Sequence, residues 1–352
     1  GESLGTRIGG ILAVMGSAVD LGNFLRFPGL AAQYEGGAFM IPYFIALVLL
    51  GLPLAWGEWA MGRFGGRHGY NSSPGIYRAI AGRDSAAFVG VLGLIVPVII
   101  YMYYVLIESW CLAYAWYYLN GTMAALGRDA AQLAQDGAIS RQPYADLFGQ
   151  FTGEAAHGAA VGQTGMMFLL ICFVLNFALI YRGLSRGIER FCLLAMPALI
   201  VCALLVLLRV LTLDNVQSGL GFMWNPRADG KTFIEALANP KMWLDATGQI
   251  FFSLSVGFGI IITYSSYLKP DDDIALSSLT AAAGNEFCEV TLGGLITIPA
   301  AYIFLGAAAV TAAAGSSFNL GFLTLPMVFE QMPLGYIAGF LFFFLIFMAA
   351  VT

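Results

Sequence analysis

Gly16-Ser17-Ala18-Val19-Asp20-Leu21-Gly22-Asn23-Phe24-Leu25-Arg26-Phe27-Pro28 sets an aspartate in the middle of an apolar stretch. A carboxylate at bilayer depth costs about 3 kcal/mol on insertion scales, so such residues face a bundle interior or a substrate path. Asp20 reads as the anchor of a cationic substrate. The same stretch gathers poor helix formers, Asp20, Gly22 and Asn23, where a helix would have to run. Phe252-Ser253-Leu254-Ser255-Val256-Gly257-Phe258-Gly259 repeats the pattern inside an uncharged run from Ala246 to Leu268. Unwound backbone survives in a bilayer only where it lines a protein cavity, because bare N–H and C=O groups are costly in lipid. Glycines alone also serve close helix packing, but here Asp, Asn and Ser side chains stand among them and need partners. Two broken helices five spans apart suggest an inverted repeat around a central site.

The rest of the chain agrees with a membrane setting. Of 352 residues 59% are hydrophobic and 11% charged, and mean hydropathy is +0.79, which excludes an ordinary soluble globule. Apolar stretches at 8–32, 38–61, 86–119, 164–181, 188–213, 240–268, 274–313 and 335–352 give eight spans. Arg63, Arg67, Arg78 and Arg83 follow the second span, and Arg182, Arg186 and Arg190 follow the fourth. The positive-inside rule makes both connections and the N-terminus cytoplasmic. The loop 120–163 is then external, and its acids Asp129, Asp136, Asp146 and Glu154 outnumber Arg128 and Arg141. It reads as a cover with short helices, and the apolar segment 315–326 as a flap folded into the outer mouth. A bacterial inner membrane is the expected location. The last span holds 18 uncharged residues, short of the roughly 20 a crossing needs, and the chain starts without Met. A trimmed start and a longer native protein are therefore expected.

Other classes find little support. The five cysteines lie in apolar stretches without metal spacing and read as packing residues. The only histidines, His68 and His157, fall in loops, with no zinc pair and no nucleophile beside a base, so an enzyme is not indicated. No basic tract exists for nucleic acid, and nothing calls for an organic cofactor.

With both clusters in view, the chain resembles the neurotransmitter:sodium symporter family along essentially its whole length. The stretches Gly22–Pro28, Gly36–Tyr43, Ile107-Glu108-Ser109-Trp110, Gly187-Ile188-Glu189-Arg190 and Gln249–Ser255 carry it. The resemblance implies an all-α polytopic membrane protein with the inverted five-helix-repeat, leucine-transporter-like fold. Eight of twelve helices are present, the first and sixth broken. Residues 1–213 are the first repeat, with its external loop, and 214–352 the start of the second, its helices 6–8. Alternating access driven by sodium, bound at two sites, is implied, for a small cationic amine taken up across the bilayer.

By the same resemblance, a first sodium site uses the Ala18 carbonyl, Asn23, Ser253 and Asn285, with Asp20 able to complete it. A second uses the carbonyls of Gly16, Val19 and Ala349 and the Thr352 hydroxyl. Sodium is a hard cation that wants such oxygens; read alone, Ser253 bonding back to its own helix and Asn23 and Asn285 joining helices serve as well. The implied substrate pocket is Ala18, Asp20, Leu21, Gly22, Ile100, Tyr104, Phe252, Ser255 and Phe258, with Arg26, Tyr104 and Phe252 as outer gate. Amino-acid transporters of the family carry glycine where Asp20 stands and monoamine transporters carry aspartate, which implies a primary amine. The alternative is a neutral amino-acid symporter in which Asp20 only caps the restarted helix. Glu289 replaces the family's chloride-site serine, implying chloride independence and a role in proton exchange, and Glu58 matches a buried structural acid. Glu108 is read as structural. Asp245 either draws cations into the vestibule or is an outward solvated residue. Leu4 stands where the family has an inner-gate tryptophan, a departure that either affects the cytoplasmic gate or marks an altered N-terminus.

Overall fold

The computed structural model describes residues 7–34, 36–134, 139–152, 163–225, 232–269 and 271–352. Leu4, Asp136 and Glu154 lie outside them. Among the described residues there are helices and no strands.

Among the described residues four helices are long and apolar enough to cross a membrane: Gly37–Arg67, Ala86–Leu119, Gly187–Leu211 and Ile274–Ala314. Two shorter apolar helices, Gly165–Tyr181 and Gly335–Val351, complete the second to fifth, seventh and eighth expected spans. The first and sixth are missing from that set because both are interrupted. The first runs as Arg7–Ala18, bends at 19–20, turns through a wide helical turn at Gly22–Arg26 and continues as Phe27–Gln33. The sixth runs as Pro240–Ser253 and resumes as Ile260–Ser265.

The two interruptions have different physical causes. In the sixth span Ser255, Gly257 and Gly259 have φ of 56°, 83° and 82°, and left-handed residues cannot continue a right-handed helix. In the first, side chains compete for helical donors: the Asp20 amide donates to Asn23 Oδ1 at 2.9 Å, and the Gly22 amide donates to Asp20 Oδ1 at 2.6 Å.

Packing divides the spans into two sets. The first, second, sixth and seventh pack on one another, while the eighth lies along the third and fifth and the fourth lies along the third. The inner half of the first span also meets the fifth. Close approach at the centre depends on Gly293 of the seventh span, where a Cβ would fall 2.0 Å from the Asn23 carbonyl oxygen. The external loop carries helices Thr122–Gln132 and Gln142–Thr152. Segment 315–326 is folded inward as expected: Leu320 and Phe322 are buried, and Trp110 packs edge-on to Phe318 and Phe322. Four cysteines are buried and none is paired.

Candidate functional site

Two cavities meet at the breaks. The larger, about 760 Å³, is lined by Asp20, Ile100, Tyr104, Phe252, Ser255 and Phe258 from the expected pocket, and reaches Gly183, Ile188 and Tyr267. The smaller, about 420 Å³, is lined by Leu21, Gly22, Arg26, Tyr104, Phe252 and Phe318. Tyr104 and Phe252 belong to both linings and so stand between them. Six of nine expected pocket residues share the larger cavity. Leu21 and Gly22 face the smaller one, and Ala18 is buried without lining either.

Asp20 is the one charged residue lining the larger cavity among the described side chains. Its Oδ1 takes the Gly22 amide at 2.6 Å, and the Tyr104 hydroxyl oxygen takes the Leu21 amide at 3.0 Å. The first two donors of the restarted helix are thereby satisfied. Gly22 is required beside it: a Cβ there would lie 2.8 Å from Asp20 Oδ1 and 2.8 Å from the Phe252 ring.

The oxygens expected for the first sodium site come together. Asn23, Ser253 and Asn285 are each fully buried, with Asn23 Nδ2 donating to Asn285 Oδ1 at 2.8 Å and Asn285 Nδ2 to Ser253 Oγ at 2.7 Å. Buried side-chain oxygens of this kind, beside the bend after Ala18, suit a hard monovalent cation. For the second site, Thr352 Oγ1 lies 3.0 Å from the Gly16 carbonyl oxygen and 3.1 Å from that of Ala349. All three residues line the larger cavity, while Val19 is buried in the bend beside them.

Glu289 is fully buried. It accepts from Tyr43 at 2.7 Å, from Gln249 Nε2 at 3.0 Å and from Ser253 Oγ. The Tyr43 hydroxyl also lies 2.5 Å from Glu286. Ser253 thus joins this carboxyl to the asparagine pair. Glu58 accepts the Gly257 amide at 2.6 Å, bracing the sixth-span break. Glu108 is buried and accepts from Asn176 at 2.8 Å, joining the third and fourth spans. Arg26 donates to Gln249 Oε1 at 2.7 Å, with the guanidinium 5.1 Å from the Phe252 centroid. Asp245 is neither a free attractor of cations nor simply solvated: it accepts from Tyr34 at 2.5 Å and pairs with Lys241 at 2.9 Å.

Sequence reasoning missed Tyr101, Thr263, Tyr264 and Tyr267, which line the larger cavity. It also passed over Tyr43 and Glu286. The charged Glu286, one residue from Asn285, was a signal that could have been followed.

A model of the Sodium:neurotransmitter symporter family matches residues 2–127 and 150–352. The sodium-dependent transporter YhdH of Bacillus subtilis is 30% identical over 346 residues, covering 97% of this chain and 67% of its own. The sodium-dependent neutral amino acid transporter B(0)AT1 of Mus musculus is 28% identical over 292 residues, covering 80% and 43%. The crystal structure of MhsT in complex with L-phenylalanine superposes with a TM-score of 0.80 at 27% identity, covering 100% of this chain and 71% of that one. The chain thus spans between less than half and about two thirds of the curated relatives it matches here. With the family model matching residues 2–127 and 150–352, both broken spans included, this chain belongs to the sodium:neurotransmitter symporter family and has its leucine-transporter-like fold.

Proposed function

We propose that the protein is a sodium-coupled secondary-active symporter for a small primary amine, working by alternating access without chloride. One observation carries the amine: Asp20 occupies the start of the half-helix and is the one charge lining the larger cavity. An amino acid would bring a second carboxylate to donors already taken by Asp20 and Tyr104. Two carboxylates about 4 Å apart repel by about 4 kcal/mol at an effective dielectric of 20. An ammonium instead meets Asp20 Oδ2 and the rings of Tyr104, Phe252 and Phe258, where cation–π attraction adds about 2 kcal/mol when water is excluded.

Sodium enters as co-substrate. The Ala18 carbonyl, Asn23, Ser253, Asn285 and Asp20 would hold one ion, and Gly16, Val19, Ala349 and Thr352 a second. Asn23 Oδ1, which would face the ion, also accepts the Asp20 amide, so the ion and the substrate anchor are adjusted together. Glu289 supplies a fixed carboxyl next to Ser253, which supports chloride independence. The larger cavity reaches 183–188, beside the arginine-bearing connection assigned to the cytoplasm, and is the release path. Arg26, Tyr104 and Phe252 close the outer side.

A second reading, symport of a neutral amino acid with Asp20 as a helix cap, is favoured by the substrates named for B(0)AT1 and MhsT. Thermal unfolding with phenethylamine or L-phenylalanine, each in sodium chloride or choline chloride, separates the two. The amine should raise the midpoint only in sodium. Stabilisation by L-phenylalanine alone would replace the amine reading with the amino-acid one.

A further inference from the structure

The external-loop helices and the end of the inward-folded segment meet in a small apolar cluster apart from the main core. Ala130, Tyr144 and Met327 form it, with Leu126 and Ile139 packed against them. Three oxygens from three elements are enclosed at this junction. They are the Tyr118 hydroxyl from the outer end of Ala86–Leu119, the Tyr144 hydroxyl from Gln142–Thr152, and Glu330 Oε1 from Leu325–Gln331. None has a hydrogen-bond partner among the described residues. Both hydroxyls lie within electrostatic reach of the Glu330 carboxyl, whose side chain runs over Gly127: a Cβ there would fall 3.2 Å from Glu330 Cβ and Oε2.

A neutral acid in this place forgoes a hydrogen bond, whereas an ionised one also forgoes the hydration of a full charge, a larger cost. Little around it offsets that cost. Arg128, exposed on Thr122–Gln132, attracts the carboxyl without forming an ion pair, and Asp129 beside it is exposed. Asp146 is bonded to Gln142, and Arg209 to the Pro333 carbonyl. The other elements packed on Leu325–Gln331 are Leu295–Ala314, Asn319–Thr324 and Gly335–Val351, which carry Tyr302 and Tyr336 but no charge. Burial accordingly holds the Glu330 carboxyl above the ordinary glutamate range. Leu325–Gln331 continues from segment 315–326, whose Gly315, Ser317 and Phe318 line the smaller cavity.

We infer that Glu330 is a proton-binding latch: neutral, it lets Leu325–Gln331 dock on the external-loop helices, and ionised, it leaves the cluster for water and loosens segment 315–326 over the smaller cavity. Neither the substrate nor sodium enters into this. Docking is fully favoured below the ordinary glutamate range and is lost as pH rises through the raised value.

Hydrogen–deuterium exchange of the intact chain at about pH 5, 6.5 and 8 tests it, read as protection factors so that the intrinsic pH dependence of exchange divides out. Protection of Gln142–Thr152 and Leu325–Gln331 should fall with rising pH by up to about tenfold per unit, the limit for one proton, while Gly187–Leu211 in the main core is unchanged. Glu330→Gln keeps the shape without the charge, so its protection should stay at the low-pH level throughout. Tyr144→Phe removes a hydroxyl that has no partner among the described residues and should keep the pH dependence of the original, which carries the test if Glu330→Gln fails to fold in thermal unfolding. A flat profile in the unaltered protein, an equal fall in Glu330→Gln, or a fall shared by Gly187–Leu211 would overturn the latch. So would loss of the pH dependence in Tyr144→Phe, which would move the effect from the acid to the phenol.

Discussion

Asp20→Asn separates the charge of Asp20 from its capping bond. The amide oxygen of asparagine can still accept the Gly22 amide, now 2.6 Å from Asp20 Oδ1, so the restarted helix keeps its first bond and the unliganded fold should be little changed. What disappears is the one charge lining the cavity. Removing one partner of a buried ion pair costs about 3–5 kcal/mol, and each 1.4 kcal/mol is a factor of ten. Amine affinity should therefore fall by about 10² to 10³·⁵. Asp20→Gly should lose as much affinity and, in addition, a few tenths of a kcal/mol of stability with the cap. Calorimetric titration of phenethylamine in sodium chloride measures the first effect and thermal unfolding the second. An Asp20→Asn protein that binds phenethylamine within threefold of the original would refute the assignment of charge recognition to Asp20.

Gly22→Ala puts a methyl group 2.8 Å from both Asp20 Oδ1 and the Phe252 ring, and should raise the amine KM about tenfold or more, as a loss near 1.4 kcal/mol implies; initial uptake rates check it. Asn285→Ala removes the side-chain acceptor of the fully buried Asn23 Nδ2, leaving it only the Asn285 carbonyl at 3.4 Å, a loss of about 1–3 kcal/mol, and takes away one expected sodium ligand, so the sodium concentration for half-maximal binding should rise about tenfold in a sodium titration. Glu289→Ser leaves Tyr43 and Gln249 as converging donors without their acceptor, and uptake should then depend on chloride when gluconate replaces it. Glu330 lies on Leu325–Gln331, outside the spans, where burial raises its carboxyl above the ordinary glutamate range against the pull of Arg128. The folded state therefore holds that proton more tightly than the unfolded one, and stability falls as pH rises from the ordinary range through the folded value. Glu330→Gln should flatten the thermal midpoint between about pH 5 and 8, as unfolding scans would register.

The breaks were legible because their causes are local. Left-handed glycines at 257 and 259, and an Asp-x-Gly-Asn cluster at 20–23, interrupt a helix wherever it stands. The fold class and the meeting of Asn23, Ser253 and Asn285 followed from motifs spread along the chain. Asp245 was less legible: its hydrogen-bond partner Tyr34 is 211 residues away, and an acid near a helix end looks alike whether paired or free. The partner of Arg26 was hidden for the same reason, since Gln249 is uncharged and stands 223 residues off. Tyr264 and Tyr267 are ordinary aromatic residues in an apolar run, and only the direction taken after the sixth-span break brings them to the cavity. Leu21 and Gly22 were assigned to one pocket because sequence spacing does not reveal on which side of Tyr104 and Phe252 a residue falls.

Sodium-driven accumulation in proteoliposomes tests the central claim most directly. With an inward sodium gradient and no chloride, labelled phenethylamine should accumulate above its external concentration, and L-phenylalanine should neither accumulate nor compete. Accumulation of L-phenylalanine in preference to the amine, unchanged in Asp20→Gly, would contradict the account.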